Sequence, residues 1–167
     1  MNKDNLSIKE TFDLAIQHHQ KKDLKVAEKL YQEVLKSNPN HAISHNNLGV
    51  VFKELREHQK AKDCYKKAIE IDSNYADAHN NLGMAYQEMG EVQEARSCYE
   101  KAIQINPNYA AAHGNLGNIL KKLGQHKKAI SCYEKAIQIS PDYANAHYNL
   151  GIILKELGQS QKAIISY

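Results

Sequence analysis

From Ala76 to Ile105, apolar side chains return at three- and four-residue steps, in two stripes separated by a short polar break. Ala78, Leu82, Ala85, Tyr86 and Met89 make the first stripe, with His79 on the same side. Ala95, Cys98, Tyr99, Ala102, Ile103 and Ile105 make the second. That step is the period of an α-helix with one buried face. Gly90 sits where a left-handed residue closes a helix without a Cβ penalty, and Pro107 stops the second helix because it has no N–H to donate. The stretch therefore predicts a helix, a tight turn and a second helix.

The same pattern recurs along the chain. The phrase "HNNLG" begins at His45 and again at His79, then returns as "HGNLG" from His113 and "HYNLG" from His147. Leu48, Leu82, Leu116 and Leu150 stand 34 residues apart, as do Ala61, Ala95, Ala129 and Ala163 and likewise Tyr65, Tyr99, Tyr133 and Tyr167. A fixed period of this size marks a repeat array. Residues 1–7 are an N-terminal segment and cap. A single array then fills 8–167, with complete units at 8–41, 42–75, 76–109 and 110–143 and a partial one at 144–167. One helix pair cannot bury both of its stripes, whereas stacked pairs form a continuous core. Ten helical segments are expected, all in antiparallel pairs. Ser7 and Glu10 have the spacing of a capping box. Lys22 and Arg56 occupy the turn position held elsewhere by Gly90, Gly124 and Gly158, at some cost because a side chain resists positive φ.

Composition narrows the function. Charged residues are 25% of the chain and the net charge is +3, which gives no strong pull toward nucleic acid or an anionic membrane. No long apolar run predicts membrane insertion, and "MNKDNLSIKE" lacks the apolar core of a secretory signal. Cys64, Cys98 and Cys132 recur once per period and read as small apolar side chains. Three free thiols suit a reducing, cytoplasmic setting. His41 and His45 have a metal-ligand spacing, but Tyr75, Tyr109 and Tyr143 take the place of His41 in later units. His45, His79, His113 and His147 lie on the buried stripe, so no metal and no cofactor are expected. No nucleophile triad, phosphate loop or paired carboxylates stand apart from the period, so the chain is not expected to be an enzyme.

The set Leu82-Gly83, Tyr86, Gly90, Ala95, Tyr99, Ala102 and Pro107 resembles the tetratricopeptide repeat, with histidine at the usual tryptophan position. The resemblance runs over nearly the whole chain after residue 7. It implies an all-α, right-handed superhelical solenoid of antiparallel helix pairs, in which the first helix of each pair lines a concave peptide groove.

On a helical wheel centred on Leu82, Asn81 lies well round from the buried side, with Asp77, Asn80, Met84, Gln87 and Glu88. Asparagine is a mediocre helix-interior residue, yet Asn47, Asn81, Asn115 and Asn149 recur at this position, with Asp13 in the first unit. A primary amide offers donors and an acceptor, enough to grip both groups of a peptide bond. The row is similar to the asparagine ladder in the repeat arm of O-linked N-acetylglucosamine transferases. Either the row reads a ligand's main chain or it joins neighbouring repeats. Asn46, Asn80, Met84, Asn118, Lys122 and Tyr148 complete the candidate groove lining. A carboxylate clamp of the chaperone-binding kind needs a lysine one turn before an asparagine. The pairs here are Asn46 and Val50, Asn80 and Met84, Gly114 and Asn118, and Tyr148 and Ile152, so that subtype is not expected. Lys121, Lys122 and Lys155 tint the C-terminal half basic.

The sequence thus predicts a scaffold that binds a protein or peptide partner, with no nucleic acid. A second reading makes it the substrate-recruiting arm of a larger enzyme such as a glycosyltransferase. A third is self-association through the incomplete C-terminal repeat.

Overall fold

The computed structural model describes residues 6–158. Among them are nine α-helices and no strand: α1 (Ile8–Gln20), α2 (Leu24–Ser37), α3 (Ala42–Glu54), α4 (His58–Ile71), α5 (Ala76–Glu88), α6 (Val92–Ile105), α7 (Ala110–Lys122), α8 (His126–Ile139) and α9 (Ala144–Glu156). The tenth predicted segment lies outside the described residues. The helices form two compact units, residues 1–89 with α1–α5 and residues 90–167 with α6–α9. In the first unit each helix packs on the next, and α5 also touches α3. In the second, α6 to α9 pack in the same sequential way, and α9 also touches α7.

Each second helix from α2 to α8 buries a tyrosine. Tyr31, Tyr65, Tyr99 and Tyr133 are the largest fully buried side chains. Glycine makes room for two of them. A Cβ on Gly49 would lie 2.5 Å from the Tyr65 ring, and one on Gly117 would lie 2.6 Å from the Tyr133 ring. Alanines at Ala61, Ala68, Ala129 and Ala136, all fully buried, let the helices close on the rings. Burying one such side chain contributes about 1.5–3 kcal/mol, and the period repeats that gain along the chain.

The turns are also built alike. Gln125 N–H donates to the Leu120 carbonyl at 2.9 Å and Gly124 N–H to Lys121 at 3.0 Å, with Gly124 at φ 71°. This is the left-handed closure expected at a helix C-terminus. Lys22 and Arg56 adopt the same conformation, at φ 64° and 62°. Lys22 gains something in return, since its ammonium lies 3.0 Å from both carboxylate oxygens of Glu54 on α3. The capping box forms as expected, with Glu10 N–H donating to Ser7 Oγ and Ser7 N–H to Glu10 Oε2.

The repeated histidine has a task that the sequence did not show. His45, His79, His113 and His147 donate Nε2–H to the carbonyls of Pro39, Ser73, Pro107 and Pro141, at 2.9, 3.1, 2.9 and 2.8 Å. A carbonyl only accepts, so each ring carries its proton on Nε2. Each imidazole thereby ties the loop before its helix to the helix itself.

Candidate functional site

The sites begin on the first helix of each pair, where Leu48, Leu82, Leu116 and Leu150 face inward. Asn47, Asn81, Asn115 and Asn149 stand at the edge of that buried stripe and are partly exposed. In the first unit the amides join one another. Asn81 Nδ2 donates to Asn46 Oδ1 at 3.0 Å, linking α5 to α3, and Asn46 Nδ2 donates to Asn47 Oδ1 at 3.3 Å. Asn47 is hydrogen-bonded to Tyr31, whose phenol burial pushes up in pKa while that bond works the other way. Asn46 is also bonded to Tyr75. The relay therefore runs from α2 through α3 to α5.

Asn46 and Asn80, placed on the groove face by the helical wheel, are buried, at 5% and 4% exposure. Asn80 Nδ2 points to the Met84 sulfur at 3.7 Å. In the second unit the polar links differ. Tyr133 Oη donates to Asn118 Oδ1 at 2.8 Å, and Lys121 Nζ donates to Asn149 Oδ1 at 3.0 Å, tying α7 to α9. Asn149 Nδ2 donates to the Asn145 carbonyl at 2.9 Å. Lys122 is exposed, and Tyr148 is 60% exposed.

A second row escaped the sequence reading. In three repeats the residue one before the row position meets the residue that opens the next first helix. Phe12, the counterpart in α1, sets its ring 5.0 Å from that of His41, edge to face. Asn46 bonds to Tyr75. Gly114 leaves a hollow filled by Tyr143, whose ring would lie 2.6 Å from an added Cβ. Large faces medium in one repeat and small faces large in another. That compensation, 29 residues apart, was readable in the sequence only by pairing these two positions in advance.

Models of the TPR repeat match residues 57–90 and 117–158, and models of the tetratricopeptide repeat match residues 76–109, and 30–63 with 98–131. Among solved structures, MamA is 30% identical, with 95% of this chain and 87% of that one covered and a TM-score of 0.81. This chain belongs to the tetratricopeptide repeat (TPR) family. PilF of Pseudomonas aeruginosa shares the fold at 23% identity, with 96% and 73% covered and a TM-score of 0.89. YrrB, described as a TPR protein with an unusual peptide-binding site, does so at 21% identity, with 96% and 82% covered and a TM-score of 0.76. No curated protein sequence matches the chain.

The rest of the TPR chemistry is quiet. Burial raises the Cys64 thiol to about 12, with Asp63 adding to the effect, and burial also raises Cys132. A thiol so protonated is a poor nucleophile. Among the described residues no three His, Cys, Asp or Glu side chains converge as a metal site, and no helix is long and apolar enough to cross a membrane.

Proposed function

We propose that this TPR chain is a protein–protein interaction scaffold that holds an extended peptide segment along its first helices, gripping main-chain groups through Asn47, Asn81, Asn115 and Asn149. The observation that carries the reading is the unused valence of the amides. A primary amide has two N–H donors and two acceptor lone pairs. The fold uses one N–H of Asn81 in the bond to Asn46. It uses one N–H and one lone pair of Asn149. Asn81 and Asn149 are thus held in place with a donor and an acceptor still available, which is what a peptide bond requires. The row then acts both as a joint between repeats and as a reader of main chain.

The test is a variant with all four asparagines changed to alanine, assayed against a peptide selected by display on the parent chain. Each lost bond is expected to weaken binding by about 0.5–1.5 kcal/mol, with affinity expressed per folded molecule. Parental affinity in a folded quadruple variant would place the ligand on another surface.

A further inference from the structure

Asn46 is polar and buried, at 5% exposure. Phe12, Gly114 and Tyr148 hold the same phase in other repeats and carry no amide side chain, so the period does not demand one here. Burying an amide costs free energy unless hydrogen bonds replace those it made to water. Its partners are the two row asparagines of the first unit. Asn46 Oδ1 accepts from Asn81 Nδ2 at 3.0 Å, and Asn46 Nδ2 donates to Asn47 Oδ1 at 3.3 Å. A further hydrogen bond to Tyr75 holds Asn46 itself.

A primary amide is nearly symmetric in shape and asymmetric in chemistry, because one end donates and the other accepts. A surface asparagine that turns freely about its last bond presents either end to a ligand. Here neither row asparagine can turn alone. Reversing Asn81 would set its oxygen against the Asn46 oxygen, two acceptors with no proton between them. Reversing Asn47 would set its NH2 group against that of Asn46, two donors with no lone pair between them. Each reversal strips a buried group of Asn46 of its partner, which costs the desolvation of that group. The three amides therefore keep their orientations together. A main chain arriving at α3 and α5 meets one fixed arrangement of donors and acceptors.

We propose that Asn46 is a positioning residue, which touches no ligand and sets which end of Asn47 and of Asn81 faces the bound main chain. This rests on the reading of the asparagine row above and adds what orients two of its members.

The probe is the peptide selected by display on the parent chain, with affinity expressed per folded molecule. Asn46→Leu keeps a branched side chain and removes the amide. It should weaken binding about three- to tenfold, the scale of one net hydrogen bond. Tyr75→Phe keeps its ring and frees Asn46 of one restraint, so it should weaken binding by less. That variant carries the test if Asn46→Leu does not fold. The deciding measurement repeats both changes in a chain that already carries Asn47→Ala and Asn81→Ala and retains Asn115 and Asn149. A residue that acts only through the two missing amides has nothing left to orient, so neither change should alter affinity further. Equal weakening in both backgrounds would mean that Asn46 shapes the surface by packing, and it overturns the positioning role. Parental affinity in both folded single variants overturns it too, and leaves the row reading standing if Asn47→Ala with Asn81→Ala binds more weakly than the parent. If that double variant binds as the parent does, the row reading falls for the first unit and the positioning role falls with it.

Discussion

The two compact units repeat one core pattern, each within itself, and differ in how they close and what they present. In the first, the turns are closed by Lys22 and Arg56, and Lys22 reaches Glu54 across to the next repeat. In the second, Gly124 and Gly158 close the turns, and Gly90 does so at its start. In the first, buried Asn46 joins its neighbours through neutral amides. In the second, Gly114 takes the same position and a tyrosine ring fills the hollow. The lesson is that the 34-residue period governs packing strictly and polar links loosely. Core positions tolerate only the side chain that fills the pair. The links between repeats can be a ring contact, a hydrogen bond or a filled hollow, because each satisfies the same buried surface.

The largest effect should be the same in both units. Tyr65→Ala and Tyr133→Ala each empty a fully buried site and should cost about 3–5 kcal/mol. Urea unfolding of the two variants checks this. Costs that differ by more than the ~1–2 kcal/mol owed to the Tyr133 hydroxyl bond, which Tyr65 lacks, would break the claim that the two rings pack alike.

That core was legible because burial forces one residue type at each phase. The helices, the turns and the capping box of Ser7 follow from spacing alone. The positive φ at Lys22 and Arg56 was also readable, because they align with glycines. The amide relay was not. Asn46 and Asn80 looked like groove residues on a wheel, which knows one helix and not the neighbour that covers it. Tyr75 hides Asn46 from 29 residues away, and a wheel has no term for that. The histidine bonds to the loop carbonyls were missed for a similar reason, since a side chain aimed at backbone leaves no partner in the sequence pattern.

Next in size is a contrast between equivalent positions. Asn46→Ala removes a buried side chain and strands the Asn81 amide and the Tyr75 hydroxyl, so it should cost about 1–3 kcal/mol. Tyr148→Ala occupies the same phase of the last repeat, where the ring is 60% exposed, and should move stability by no more than ~0.5 kcal/mol. Thermal melts of the pair sharpen the comparison. A large loss from Tyr148→Ala at low concentration would show that the exposed ring is covered by something in solution.

The tyrosine hydroxyls should give effects of opposite sign. Tyr65 Oη is buried with no hydrogen-bond partner, so Tyr65→Phe should be neutral or stabilising by up to ~1 kcal/mol. Tyr133→Phe loses the bond to Asn118 and should cost about 0.5–1.5 kcal/mol. Burial holds both phenols well above their ordinary pKa. A group whose pKa is raised on folding contributes stability that is present below its unfolded pKa and lost as pH rises through the folded one. Stability should therefore fall above pH about 10, the unfolded tyrosine value. Either phenylalanine variant should flatten that alkaline limb, and an unchanged limb in both would mean the phenols ionise without unfolding the chain.

The smallest contrast lies at the turns of the first unit. Arg56 holds φ 62° with no ion pair among the described residues, so Arg56→Gly removes strain and loses little. A gain of a few tenths to about 1 kcal/mol is expected, the usual advantage of glycine at a left-handed position. Lys22→Gly relieves the same strain but also loses the contact with Glu54, an exposed pair worth no more than ~1 kcal/mol. The two terms oppose each other, so its net effect should lie near zero. Burial works to raise the Glu54 carboxyl, and Lys22 and His19 outweigh it and hold the group below its ordinary pKa. The contribution of that pair is present above the unfolded carboxylate pKa and lost as pH falls through the lowered one. The two glycine variants should consequently separate at neutral pH and converge in acid. Melting both across that range decides whether the lysine is kept for its ion pair: parallel curves at every pH would show that the Glu54 contact adds nothing, and that the two turns differ only in sequence.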